Sequence, residues 1–288
     1  MTEEKKPTGR DHIQFPYPKK DFFDRGLPKG VLSPSGFSMY VKCPRQFEYA
    51  YVLEMRRPPA ISMIKGTSIH RGAEVVHKHT IEHGVPMGVE EATQAVADAF
   101  NAEEEFVEDA TKEEKGIAKD AAIHGFKVYH RDAVPKINPV AAEKPFALKV
   151  GVVPFRGVID LIDRVPGDYS LGDDPEAPPP EIEVVSDLKT TAKQWNQQRI
   201  DFEHQLTFYA IAENTNNVRV DFLLERKKST EYITKRALRT RRHKQNLVED
   251  VEEVADLIKK GIFPRCDPAN WACTPRFCGY YKMCRGYV

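Results

Sequence analysis

Asp187-Leu188-Lys189 closes the apolar run Ile182-Glu183-Val184-Val185-Ser186, and Asp160 lies 27 positions upstream in Phe155-Arg156-Gly157-Val158-Ile159-Asp160. Alternate residues of a strand point the same way, so Asp187 and Lys189 face one side together with Leu188 buried behind them. Two carboxylates can share a divalent cation, and a neighbouring lysine can steady or deprotonate a water. Together they are the equipment of metal-assisted phosphodiester cleavage. Alone, an Asp-x-Lys triplet fits any edge strand with alternating charges, so the surrounding residues decide. Asp163, three positions beyond Asp160, must face the other way and reads as a solvated partner.

Two helical motifs accompany these strands. Gly66-Thr67-Ser68-Ile69-His70-Arg71-Gly72-Ala73-Glu74 sets His70 and Glu74 one turn apart on one helix face, and Gln205-Leu206-Thr207-Phe208-Tyr209 does the same for Gln205 and Tyr209. Each has a plainer explanation: a surface or capping histidine, a Glu74 paired with Lys78, a polar stripe on an exposed helix. The order is more specific than any one motif. His70, Asp160 (in Gly157-x-x-Asp160), Asp187/Lys189 and Gln205/Tyr209 together resemble the RecB-like branch of the PD-(D/E)XK nucleases. The resemblance extends to its iron–sulfur members: phage exonucleases, the AddB nuclease domain and the CRISPR-adaptation nucleases. It spans roughly residues 33–288.

That resemblance implies an α/β protein with an αβββαβ restriction-endonuclease-like core: a mixed sheet flanked by helices, with a helical region before it and a metal-cluster segment after it. It implies Mg²⁺ or Mn²⁺ held by His70, Asp160 and Asp187, the imidazole nitrogen tilting preference toward Mn²⁺. Lys189 would orient the attacking water or stabilise the pentacoordinate phosphate, and Gln205 and Tyr209 would hold the DNA backbone or the water. The implied activity is that of a DNA exonuclease on single strands or duplex ends, in phage or bacterial recombination or repair. A CRISPR-adaptation nuclease that trims DNA ends, with adaptation proteins as partners, fits the same residues. A non-catalytic DNA-binding module with structural zinc is the alternative from another class, and the concentration of carboxylates facing a phosphate substrate speaks against it.

Five cysteines, an odd number in a chain expected to be cytosolic, argue against a disulfide framework. Four of them, Cys266, Cys273, Cys278 and Cys284, fall in the last 23 residues. By resemblance, Cys273, Cys278 and Cys284 close a [4Fe–4S] site whose fourth ligand is Cys43, in Lys42-Cys43-Pro44-Arg45-Gln46-Phe47. The rival is a local zinc site of Cys266, Cys273, Cys278 and Cys284, with Cys43 a separate buried thiol.

Lys and Arg number 43 against 43 Asp and Glu, so no global charge draws the chain to nucleic acid, and local distribution carries more weight. Lys235, Arg236, Arg239, Arg241, Arg242 and Lys244 crowd into ten residues, either as a solvated helix start or as a DNA-backbone contact beside the site. No apolar run approaches the ~20 residues of a membrane span, and a cytoplasmic protein is expected. No P-loop motif occurs.

Residues 1–31 read as a flexible polar arm. The nuclease domain would fill 32–288, with a helical part over 32–135, a core over 140–260 and the cysteine segment over 261–288. Helices are expected from Ser33 to about Leu53 with a break at Cys43-Pro44, then over about 66–83, 88–109 and 115–133. Strands follow at Glu143–Val150, Phe155–Val165 and Glu181–Lys189, with a solvated proline-rich loop between the last two. A helix at about 201–214, strands at about 218–226 and 231–237, and a helix to Lys260 complete the expectation.

Overall fold

The computed structural model describes residues 27–55, 57–167, 180–226 and 229–286. Residues 1–26 of the expected arm and 168–179 of the expected loop lie outside them. Two short helices, α1 (Pro34–Lys42) and α2 (Pro44–Phe47), come first, then α3 (Ile61–His83), α4 (Val89–Glu103) and α5 (Lys112–Asp132). Strands β1 (Pro139–Val150), β2 (Val153–Pro166) and β3 (Glu181–Thr191) follow, then α6 (Gln197–Asp201) and α7 (His204–Ala212). The strands β4 (Asn217–Glu225) and β5 (Thr230–Leu238) and the helices α8 (Arg241–Lys259) and α9 (Tyr281–Arg285) finish the chain. Among the described residues, no helix is long and apolar enough to cross a membrane.

Local chemistry sets these boundaries. The Ser33 side chain accepts the Gly36 N–H and Pro34 occupies the first position of α1. Cys43 is extended between α1 and α2, with Pro44 opening the second helix, so the cysteine stands at the junction its sequence foretold. Thr111 with Glu114, and Thr240 with His243, form reciprocal caps on α5 and α8.

The five strands form one sheet in the order β1-β2-β3-β4-β5. Every pair is antiparallel except β3–β4, which is parallel. A parallel neighbour cannot be reached by a tight hairpin, and the segment with α6 and α7 supplies the crossover. The mixed α/β architecture matches the expected core. Helices α3, α4 and α5 share one hydrophobic cluster with Leu161, Leu188 and Leu223 on one sheet face. Helices α1, α7 and α8 pack on the other through Phe37, Phe155, Phe208 and Leu247, alongside a second cluster of Ile159, Val185, Val220 and Phe222. Leu27, at the start of the described chain, is buried in the former. Gly72 has a steric reason to be glycine. A Cβ there would come within 2.5 Å of Val96 and 2.7 Å of Phe126, so its absence lets α3 seat closely on α4 and α5, two residues from His70.

Asp163 corrects one expectation. It is fully buried, not solvated. The Arg219 guanidinium pairs with its carboxylate and with Asp221, which also accepts from Ser186 and, at 2.8 Å, from Tyr232. The alternation argument was sound about direction, but the second face of this strand is covered by helices rather than by water. Removing Arg219 strands two carboxylates in the interior. Arg219→Leu should therefore lose about 3–5 kcal/mol of stability, measured by urea unfolding; a loss below about 1 kcal/mol would contradict the assignment.

Candidate active site

Strand register assembles the site. Ala142 pairs with Leu161 and Lys144 with Ile159, which sets Glu143 opposite Asp160. Leu161 pairs with Ser186, which sets Asp187 on the other side of Asp160. Glu143, Asp160 and Asp187 thus stand in a row across β1, β2 and β3. Glu143 adopts φ 49°, a left-handed conformation that costs a non-glycine residue about 1 kcal/mol or more and clusters at functional sites. Helix α3 adds His70, whose Nδ1 lies 3.4 Å from Asp160 Oδ2 and whose ring bonds to the Leu188 backbone. One nitrogen of His70 and one oxygen each of Glu143 and Asp160 lie within 4.8 Å of one another.

Helix α7 closes the other side. Lys189 Nζ donates to Asp187 Oδ1 at 2.8 Å and to Gln205 Oε1 at 3.4 Å. Gln205 Nε2 donates to the Tyr209 hydroxyl at 2.7 Å, and that hydroxyl donates to Asp160 Oδ1 at 3.3 Å. The Leu188 amide donates to Asp160 Oδ2 at 3.1 Å. One acceptor is left over: Asp187 Oδ2 is buried and has no hydrogen-bond partner. A buried carboxylate oxygen without a donor is costly, and a cation would satisfy it.

Electrostatics point the same way. Burial lifts Asp187 to about 7, with Asp160 adding to the rise and Lys189 opposing it. Burial also lifts Glu143 to about 7, helped by the negative charge of Asp160 and Glu74. For His70, burial outweighs the pull of Asp160 and lowers its pKa, keeping the imidazole neutral and able to ligate. For Lys189 the carboxylates outweigh burial, which alone would lower it, and its pKa rises. The arrangement is a set of hard oxygen donors plus one imidazole around a shared space, next to a permanently charged ammonium. Such donors suit Mg²⁺ or Mn²⁺.

The sequence profile of the PD-(D/E)XK nuclease superfamily matches residues 31–285. The chain belongs to this superfamily. Comparison with curated proteins gives no match. A solved structure described as "Crystal structure of SSO0001" is similar over 90% of this chain and 88% of that one, at 12% sequence identity and a TM-score of 0.38, a likeness that carries no argument about function.

In this PD-(D/E)XK nuclease, the fold brings together His70, Asp160, Asp187, Lys189, Gln205 and Tyr209. Glu74 lines the same cavity but is engaged by Arg71 at 2.6 Å and Lys78 at 2.7 Å. Glu143 was missed. Nothing marks it in Ala142-Glu143-Lys144, and only the β1–β2 register puts it opposite Asp160. Of the basic segment, Lys235 and Arg236 are exposed on β5, and Arg241 and Arg242 are exposed at the start of α8, where they line an open groove with Asn214, Asn216 and Lys244. Arg239 is a correction. Its side chain is buried, donating to Thr207 Oγ1 at 2.8 Å and to the carbonyls of Ile200 at 2.8 Å and Glu203 at 3.1 Å. It ties the end of β5 to α6 and α7 and offers nothing to a phosphate.

All five cysteines line one cavity, together with Arg45, Tyr49, Tyr280 and Arg285. Cys43 comes from the α1–α2 junction, Cys284 from α9, and the others from the segment between α8 and α9. Burial, with the neighbouring Cys43 and Cys273 thiols, pushes the Cys266 thiol pKa up to about 12. Arg285 donates to Cys273 Sγ at 3.1 and 3.3 Å and to the Cys266 carbonyl at 2.8 Å.

Because Asp187 and Glu143 each titrate near 7 without metal, a bound cation must displace their protons. Mn²⁺ affinity should rise steeply from pH 6 to 8 and level off above that, with between one and two protons released per ion near pH 6. Calorimetry in buffers of different ionisation enthalpy measures both. An affinity flat across this range would contradict the protonation states described.

Proposed function

We propose that the chain is a metal-dependent DNA exonuclease of the RecB-like branch, acting on single strands or duplex ends in phage or bacterial recombination or repair. The observation that carries the reading is the convergence of His70, Glu143 and Asp160 on one point, beside an Asp187 oxygen without a partner and a lysine bridging Asp187 to Gln205. His70, Glu143, Asp160 and Asp187 would hold Mg²⁺ or Mn²⁺. When bound, the ion polarises water and neutralises charge on the phosphate.

The chain's own groups do the rest. Lys189, held between Asp187 and Gln205, presents an ammonium that orients the attacking water and stabilises charge on the phosphate oxygens. Tyr209 anchors Asp160 and is itself fixed by Gln205, so α7 sets the positions of both the acidic row and the lysine. Exposed Lys235, Arg236, Arg241 and Arg242 would neutralise DNA phosphates outside the site.

Asp187→Ala or Lys189→Ala should lower cleavage of end-labelled DNA at least a hundredfold while each variant stays folded and binds DNA with close to wild-type affinity. EDTA should abolish activity, Mn²⁺ or Mg²⁺ should restore it, and Ca²⁺ should support binding with little cleavage. Near-normal turnover in either variant, or robust hydrolysis in EDTA, would sink the assignment.

We further propose that Cys43, Cys273, Cys278 and Cys284 hold a [4Fe–4S] cluster. The presence of Cys43 in the cavity of the other four favours this over a zinc site built from the C-terminal cysteines alone. So does spacing. Sulfurs around one tetrahedral zinc sit about 4 Å apart, given Zn–S of about 2.3 Å. Among the described residues, no three of the cysteine sulfurs lie within 4.8 Å of one another. Anaerobically purified protein should be brown, with about four irons per chain. Cys43→Ser should lose the iron and unfold at lower temperature, and Cys266→Ser should do neither. A colourless protein with one zinc that is sensitive to Cys266 and indifferent to Cys43 would overturn the cluster.

A further inference from the structure

The segment between α8 and α9 pins its cysteines inward and holds two large aromatics outward. Trp271 is 66% and Phe277 54% exposed, although Cys273 and Cys278 beside them reach into the cavity. Looseness does not account for this. The Ala272 amide donates to Asn270 Oδ1 at 2.9 Å, Cys273 N to the Asn270 carbonyl at 2.8 Å and Cys278 N to the Thr274 carbonyl at 2.9 Å. Successive hydrogen-bonded turns therefore fix the backbone that carries both rings. The rings meet edge to face, with centroids 5.5 Å apart and planes at 78°. The Arg276 guanidinium lies over the Phe277 ring, 5.4 Å from its centroid. Arg265 and Arg276 are exposed on the same segment and Lys282 on α9, against the single carboxylate Asp267, which accepts from the Ala269 amide.

Rigid exposed aromatics interleaved with cations have the composition of a single-strand platform: bases stack on the rings while cations track the phosphates. We infer that Trp271 and Phe277, with Arg276, form a stacking platform for unpaired bases of a nucleic-acid strand, separate from the acidic row. This deepens the proposed action on DNA and rests on it. A protein surface would pair the aromatics with an exposed apolar surround, whereas here Ala272 and Cys278 beside them turn inward and the exposed neighbour is Arg276.

The test uses the full chain and an oligodeoxythymidylate in EDTA, with an abasic oligonucleotide of equal length as the control. The chain has two tryptophans, and the other, Trp195, lies beneath Arg199 at 3.7 Å. Trp195→Phe labelled with 5-fluorotryptophan therefore reports on Trp271 alone by fluorine NMR. Its resonance should shift with oligodeoxythymidylate and not with the abasic strand. Trp271→Ala and Phe277→Ala should each weaken oligodeoxythymidylate binding about tenfold by anisotropy, with metal content and thermal midpoint unchanged. Equal shifts with both strands, or unchanged affinity in both variants, would overturn the platform. So would a Trp271→Ala protein that binds normally but sediments as a smaller species, because a second copy would then cover the patch. A wild type that binds and cuts DNA while Trp271 stays silent rejects the platform alone; a wild type that does neither rejects the exonuclease reading with it.

Discussion

Three carboxylates set side by side across β1, β2 and β3 repel one another, and burial raises the cost of charging them. Glu143 and Asp187 are lifted to about 7 as a result. The fold keeps this unfavourable row by fixing strand register, since a slip of one residue would turn each side chain to the opposite face. Register is held by Arg219, which links Asp163 on β2 to Asp221 on β4 across the intervening β3. His70 reaches the row from α3 on one face of the sheet, and Gln205 and Tyr209 from α7 on the other, each bonded into the row or to Lys189. A local left-handed turn of the backbone at Glu143 adds to the cost. Groups held against their own repulsion and strain, with one buried oxygen left unsatisfied, are what a cation site requires before its ion arrives.

Much of this was legible in the sequence because strand alternation and helical spacing are local. Asp187 and Lys189 two apart, His70 and Glu74 four apart, and Gln205 and Tyr209 four apart define faces without knowledge of the fold. The strand and helix order followed from turn residues and β-branched runs, with boundaries off by a few residues, as at Pro139, where β1 starts earlier than expected. What stayed hidden was set by register and layering. Glu143 becomes a site residue only when β1 pairs with β2 in one particular way. Asp163 and Arg239 look like surface charges until helices are seen to cover both faces of the sheet. The basic run around Arg239 therefore divides into four exposed cations on β5 and α8, a half-buried Lys244 bonded to the Thr215 carbonyl, and one internal tie, a distinction that charge counting cannot make.

The two ends of the described chain meet at the cysteine cavity. Cys43 is presented by a helix break that Pro44 enforces, and Tyr40 and Tyr280 donate across from these ends to the carbonyls of Ile262 and Met55, both at 2.6 Å. The N-terminal helices, the last helix and the turns between α8 and α9 thus form one unit. The acidic row presents hard oxygen donors and the cysteine cavity thiols, donor types that suit different metals.

The central claim is that the acidic row is retained at the expense of the metal-free protein's stability for the sake of a cation. Glu143→Gln tests it most directly, because the amide copies the protonated carboxyl. A carboxyl whose pKa is raised by folding contributes stability at acid pH that is lost as pH climbs through about 7. At pH 8 without metal, Glu143→Gln should melt at a higher temperature than wild type; at pH 5 the two should converge. Mn²⁺ should then raise the wild-type midpoint at pH 8 and leave that of the variant nearly unmoved. A variant that melts lower than wild type at pH 8 without metal, yet is stabilised by Mn²⁺ to the same extent, would contradict the account.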